Sequence, residues 1–182
     1  MDKVLRASLD NLWSQDQALQ NEAFLSILKL TDQPVDWAYE VWDELLANLS
    51  HKDNHNRAIA AQVLCNLAKS DPRERMLKDL PRLLAVTRDE RFVTARHCMQ
   101  ALWKVGAAGK QQQAALLNGL TGRYHECATE KNCTLIRFDI IQSLRNVYDA
   151  VKDESIRTHA MQLIEAEPDM KYRKKYASLW RD

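Results

Sequence analysis

Apolar residues recur along the chain with the spacing of one helix face. In the segment NRAIAAQVLCNLAKS, Ala60, Val63, Leu64 and Leu67 lie at positions i, i+3, i+4 and i+7, the spacing of an amphipathic helix. The same offsets occur 37 residues earlier, 38 residues later and a further 42 residues on. The pattern therefore predicts a repeated helix. The other copies are Ala23, Ser26, Ile27 and Leu30; Cys98, Ala101, Leu102 and Val105; Ile140, Ser143, Leu144 and Val147; and a degenerate one at Ser178 and Leu179.

Each repeated helix has an apolar partner helix before it in the chain. Leu46 precedes Ala60 by 14 residues, and Leu84 precedes Cys98 by the same 14, so the two helices repeat together. A two-helix unit of this kind cannot bury its apolar face alone and must stack on its neighbours. We expect one domain, 1–182, of about five helical hairpins. Their approximate bounds are 1–33, 36–70, 73–106, 110–151 and 153–182.

The scarcity of glycine and proline excludes several other fold classes. The chain has only Gly 4 and Pro 4 among 182 residues, whereas sandwiches and barrels need frequent turns that draw on both residues. No G-x-G-x-x-G or G-x-x-x-x-G-K-[ST] loop occurs, so the common nucleotide-binding folds are excluded as well. The predicted class is all-α.

The repeats resemble those of the HEAT and armadillo families. The resemblance rests on the second helices, where Arg57 and Arg137 each stand seven residues before a leucine, and on the acidic turn residues Asp53 and Asp89. It implies a right-handed α-α superhelix, a HEAT-like solenoid whose second helices line the concave side. In such proteins the concave side is the usual binding surface, so the resemblance implies a binding or scaffold module for a protein or peptide partner.

Polar residues beside the apolar stripes are the candidate binding residues. A groove that offers Arg and Lys with an aromatic edge suits an anionic segment, but charged helix faces in water are also ordinary. Arg57 has the further alternative of pairing with a turn carboxylate between repeats. The candidates for partner binding are Arg57, Arg96, Gln100, Trp103, Lys104, Gln142 and Arg145.

The charge distribution and the number of cysteines give only general information about partners and cellular compartment. The net charge is +1, but residues 1–50 carry 3 basic and 9 acidic side chains, and residues 51–150 carry 16 basic and 10 acidic ones. Four cysteines are too few for a disulfide framework, and Cys65 and Cys98 lie in apolar helical patterns. No signal peptide or membrane span is apparent. We expect a cytoplasmic protein without a membrane partner.

No catalytic, metal or cofactor motif stands out. His125, Cys127 and Cys133 lie in the turn of the fourth unit, which the 42-residue spacing predicts to be longer than the others, but they supply only three potential zinc ligands. We therefore expect no metal and no cofactor. The alternative function is that of a HEAT-like DNA-binding protein, or of a repair enzyme that resembles the HEAT-like alkylpurine DNA glycosylases. This resemblance would place Trp103 and Asp139 in the groove and the basic middle section on the phosphate backbone.

Overall fold

The structure, a computed structural model, describes residues 3–181, and its regular elements are all helical. No strand occurs among these residues, so the predicted all-α class is confirmed. In the same part of the chain no helix combines the length and apolar character needed to cross a membrane. The α-helices are α1 (Lys3–Asp10), α2 (Gln17–Leu30), α3 (Ala38–Asn48), α4 (Asn54–Leu67), α5 (Arg75–Ala85), α6 (Phe92–Ala101), α7 (Trp103–Ala108), α8 (Lys110–Glu126), α9 (Cys133–Val151), α10 (Glu154–Glu165) and α11 (Met170–Ala177).

Aspartate side chains cap the starts of several helices. Asp16, Asp53, Asp153 and Asp169 accept hydrogen bonds from backbone N–H groups in the first turns of α2, α4, α10 and α11. Asp89 accepts a 2.8 Å bond from the backbone N–H two residues further on, just before α6. These bonds satisfy N–H groups that have no partner within a helix. Short acidic turns therefore join the helices with little use of glycine.

The predicted apolar stripes form much of the core. The residues of the stripe on α4 are at most 1% exposed, and those on α9 are at most 2% exposed. Cys98 and Leu102 are fully buried, as is Cys65 on α4. The stripe on α2 is buried only at Ala23 and Ile27, because its last turn faces solvent and leaves Leu30 49% exposed.

The helices group into two compact units, Met1–Cys98 and Met99–Asp182. In the first unit, α3 packs against α4, and α2 packs against α4 as well. Trp42 of α3 is fully buried, and its indole Nε1 donates a 2.9 Å hydrogen bond to Asp79 of α5. This bond satisfies the one polar atom of the indole inside the core.

In the second unit, α7 packs against both α8 and α9, and α9 packs against α10 and α11. Gly106 marks the closest approach of these helices. A Cβ atom added there would lie 2.9 Å from a side-chain carbon of Leu116 and 3.0 Å from one of Val147. The absence of a side chain at Gly106 therefore lets the three helices pack closely.

The turn between the two helices of the fourth predicted hairpin is not longer than the equivalent turns, contrary to the prediction. Residues 127–132 join α8 to α9, and the equivalent connections are 49–53 and 86–91, so the lengths are six, five and six residues. The additional residues lie in the helices instead. Helices α8 and α9 have 17 and 19 residues, whereas α3 and α4 have 11 and 14.

Candidate functional site

Arg57 lies below the surface in a buried ion pair. It is 9% exposed. Its Nε and Nη2 donate to the two carboxylate oxygens of Asp89 at 2.5 and 2.8 Å, and its Nη1 donates to the carbonyl oxygens of His51 and Lys52. Burial raises the pKa of the Asp89 carboxyl, but the hydrogen bonds from Arg57 and from a backbone N–H outweigh it and lower that pKa. The geometry therefore supports the alternative for Arg57, which is pairing with a turn carboxylate between repeats.

The predicted face around Trp103 spans the junction of two consecutive helices. Helix α6 ends at Ala101 and α7 begins at Trp103, so Arg96 and Gln100 share one helix while Trp103 and Lys104 belong to the next. The spacing of three and four residues places side chains on one face only within a continuous helix. Leu102 keeps right-handed helical backbone angles (φ −57°, ψ −26°), and the shared face of these four residues stays a prediction.

Gln100 and Lys104 contact neighbouring side chains. Gln100 Nε2 donates a 3.3 Å hydrogen bond to Asp139, which is 2% exposed. Trp103 is half-buried, and the ammonium of Lys104 lies 5.8 Å from its ring centroid. Arg96 is half-buried on α6. Asp139, the candidate carboxylate of the glycosylase alternative, is thus buried and accepts a hydrogen bond from Gln100.

Gln142 and Arg145 lie on α9, and both have partners on that helix. Gln142 Nε2 donates to Asn146 at 2.9 Å, and Arg145 Nε donates to Asp149 at 2.9 Å. The guanidinium of Arg145 also lies 5.5 Å from the ring centroid of Trp180. Both side chains are half-buried.

A cleft of about 480 Å³ in the first unit has a different chemical character. One face of each of α2, α4 and α6 lines it. We call it the amide cleft, because five of its lining residues are asparagine or glutamine. The described lining residues are Gln17, Gln20, Asn21, Phe24, Asn54, His55, Ala58, Ile59, Gln62, Val93, Thr94 and His97.

The described lining of the amide cleft contains no Lys, Arg, Asp or Glu. Charged residues make up 28% of the whole chain, so an uncharged lining of this size is a distinctive feature. Val93 is 65% exposed and leaves apolar surface open to a partner. The cleft offers neutral hydrogen-bonding groups and apolar surface together.

Hydrogen bonds hold part of this lining in place. Gln20 Nε2 donates to the carbonyl oxygen of Leu12 at 3.0 Å and to Asn56 Oδ1 at 3.1 Å. Gln62 Nε2 donates to a carbonyl oxygen of its own helix at 3.1 Å, and Thr94 Oγ1 donates to the carbonyl oxygen of Asn54 at 3.3 Å. Fixed amide groups present carbonyl oxygens and N–H groups without a large loss of side-chain entropy on binding.

The sequence interpretation missed the amide cleft, although the signal is present. On α4 the lining positions 55, 58, 59 and 62 repeat the i, i+3, i+4, i+7 spacing of the core stripe, five residues earlier. At 100° per residue this shift turns the second stripe by about 140° around the helix. On α2 the positions 17, 20, 21 and 24 show the same spacing. A search for helix faces without Lys, Arg, Asp or Glu finds both.

Cys127 and Cys133 lie at the turn of the fourth predicted hairpin and are in contact, since their sulfur atoms are 3.0 Å apart. His125 packs edge-on against Tyr124. Within residues 3–181 no three His, Cys, Asp or Glu side chains are grouped in a way that could hold a metal ion.

Comparison with known proteins identifies a similar fold. A crystal structure of an engineered protein matches 99% of this chain and 88% of its own, with a TM-score of 0.52 and 15% sequence identity. At that identity the likeness concerns the fold alone. No family model matches the chain, and no curated protein matches it.

Proposed function

We propose that the protein is a non-enzymatic binding module of the cytoplasm. It is a short HEAT-like solenoid of about five helical hairpins that holds a protein or peptide partner on the face formed by its second helices. The observation that carries this proposal is the amide cleft, because its walls are α2, α4 and α6, which are the second helices of the first three predicted hairpins. A cleft between successive repeats is where such a module binds.

The chemistry of the amide cleft suits an extended, uncharged peptide segment. Asparagine and glutamine side chains can both donate and accept hydrogen bonds, as the peptide backbone does. Val93, Ile59 and Phe24 supply apolar surface for one or two aliphatic or aromatic side chains of the partner. The described lining has no Lys or Arg to hold a phosphate or an acidic side chain.

A peptide selection tests this proposal. Random twelve-residue peptides displayed on phage are selected against the folded protein, and the enriched peptides are synthesised and titrated by fluorescence anisotropy. We expect enriched peptides with an apolar residue in an uncharged stretch, and we expect Val93→Asp to weaken their binding at least tenfold, since it places a charge in the cleft.

Leu25→Asp provides the matched control. Leu25 is 57% exposed on α2 and lies outside the lining, so this variant adds the same charge to the same unit. It should bind the peptides as the wild-type protein does. Equal binding by the wild-type protein and Val93→Asp, or a failure to enrich any peptide, would refute the proposed cleft.

Salt dependence separates the proposal from the DNA-binding alternative. An uncharged cleft predicts peptide affinity that changes less than about threefold between 50 and 500 mM salt. Binding through phosphates predicts a steep loss, about 10³-fold or more over a narrower salt range for six or more contacts. Steep salt dependence together with tight binding of duplex DNA would favour the alternative.

A further inference from the structure

Two cysteines of the second unit flank one tight turn. Cys127 follows α8, Cys133 begins α9, and their sulfur atoms are 3.0 Å apart. A disulfide bond has a sulfur–sulfur distance of about 2.05 Å, so a shift of about 1 Å would bring the two atoms to bonding distance. Nothing in the proposed peptide binding uses this pair.

Backbone and side-chain hydrogen bonds order the turn between Cys127 and Cys133. The N–H of Glu130 donates to the carbonyl oxygen of Cys127 at 2.8 Å, and the N–H of Cys133 donates to the carbonyl oxygen of Glu130 at 3.1 Å. Arg123, which is 1% exposed, grips the Glu130 carboxylate through both of its terminal nitrogens. Because the turn is already ordered, little conformational entropy is lost when the two sulfurs are joined.

The two thiols differ in their access to solvent. Cys127 is fully buried, and its Sγ donates to the carbonyl oxygen of Tyr124 at 3.3 Å. Burial, together with the contact to Cys133, raises the pKa of the Cys127 thiol to about 12. Cys133 is half-buried and can meet a small oxidant from solution. An accessible thiol beside a shielded one is the arrangement of an attacking and a resolving cysteine.

We propose that Cys127 and Cys133 form a reversible dithiol–disulfide site that reacts with hydroperoxides. The deprotonated sulfur of Cys133 attacks one peroxide oxygen, the O–O bond breaks, and the alcohol, or water from hydrogen peroxide, leaves with a proton. The sulfenic acid on Cys133 is then attacked by the sulfur of Cys127, whose proton leaves with the hydroxyl group as water. Two thiols lose two electrons to the peroxide, and a dithiol reductant reverses the change by thiol–disulfide exchange.

Peptide mapping of the wild-type protein tests the site directly. Trypsin separates the two cysteines into YHECATEK and NCTLIR, so a disulfide joins two peptides that otherwise appear apart. The folded protein is treated with stoichiometric hydrogen peroxide, free thiols are blocked with iodoacetamide in urea, and the digest is analysed by mass spectrometry. We expect the linked pair to form and to disappear after dithiothreitol.

The other two cysteines serve as internal controls in the same digest. Cys65 and Cys98 are fully buried and should remain thiols on AIAAQVLCNLAK and HCMQALWK. Linkage of Cys127 to Cys133 only in protein unfolded by urea before oxidation would overturn the proposal. So would recovery of both turn cysteines as free thiols after treatment of the folded protein.

Single substitutions test the order of attack. In Cys127→Ser, the remaining Cys133 should be trapped by dimedone as a sulfenic acid in the folded protein. In Cys133→Ser, the buried Cys127 should stay unmodified until the protein is unfolded. Equal dimedone labelling of both variants in the folded state would contradict the assigned roles.

Discussion

Replacing Arg57 with methionine tests its structural role. Methionine keeps an unbranched apolar side chain in place of the arginine stem but removes four donated hydrogen bonds. The side chains of Arg57 and Asp89 are 11% and 5% exposed, so the ion pair is largely shielded from water. The substitution leaves the Asp89 carboxylate buried without its cation.

The expected cost follows from that burial. Removing one partner of a buried ion pair costs about 3–5 kcal/mol. Asp89 keeps one backbone N–H donor after the change, which argues for the lower end, about 3 kcal/mol. For a chain of this size the loss corresponds to a fall in Tm of about 6–12 °C.

Urea and thermal unfolding followed by circular dichroism measure this cost. Arg6→Met is the control, because Arg6, 44% exposed, makes ion pairs with Asp10 and Glu44, whose side chains are 56% and 33% exposed, and such surface pairs contribute about 0–1 kcal/mol. The double variant Arg57→Met with Asp89→Asn should be more stable than Arg57→Met alone, since it removes the orphaned charge. A loss below about 1 kcal/mol for Arg57→Met, equal to that of Arg6→Met, would refute the structural role.

Two further predictions concern the second unit. The ring Nε2 of His159 lies 2.6 Å from Thr121 Oγ1, and burial lowers the pKa of this histidine. Folding therefore favours the neutral ring. The resulting stabilisation is complete above the unfolded pKa of about 6.5 and is lost as the pH falls towards the pKa in the folded protein. Urea midpoints at pH 7.5 and 5.5 should differ less in His159→Gln than in the wild-type protein, and an unchanged difference would contradict the assignment. Gly106→Ala should destabilise by about 1 kcal/mol in urea unfolding, because crowding against Val147 outweighs the helix preference of alanine. Gly122→Ala, with open space at its Cβ, should stabilise by about 0.5–1 kcal/mol, and equal effects at the two glycines would refute the packing argument.

The helical class and most core positions could be predicted from sequence, because apolar spacing directly records which helix face is buried. The pairing of Arg57 could be named only as an alternative. Its partner lies 32 residues away, and local spacing does not show which distant carboxylate an arginine meets.

The site was harder to predict than the fold. The sequence prediction relied on charged and aromatic residues and therefore selected Trp103 and Lys104. The amide cleft is instead defined by the absence of Lys, Arg, Asp and Glu from three neighbouring helix faces. Residues on different helices meet only after the helices have packed. The stripes on α2 and α4 are visible in the sequence as a repeated spacing, but their packing beside α6 is not.

The most direct test of the proposed function is a map of the bound peptide on the protein. A methyl-labelled sample is titrated with a selected peptide, and the NMR shifts of the valine, isoleucine and alanine methyl groups are followed. The amide cleft predicts the largest shifts at Val93, Ile59 and Ala58, with Val147 in the core of the second unit unchanged. Saturable binding that leaves these three methyl groups unshifted and moves only groups in the second unit would contradict the account.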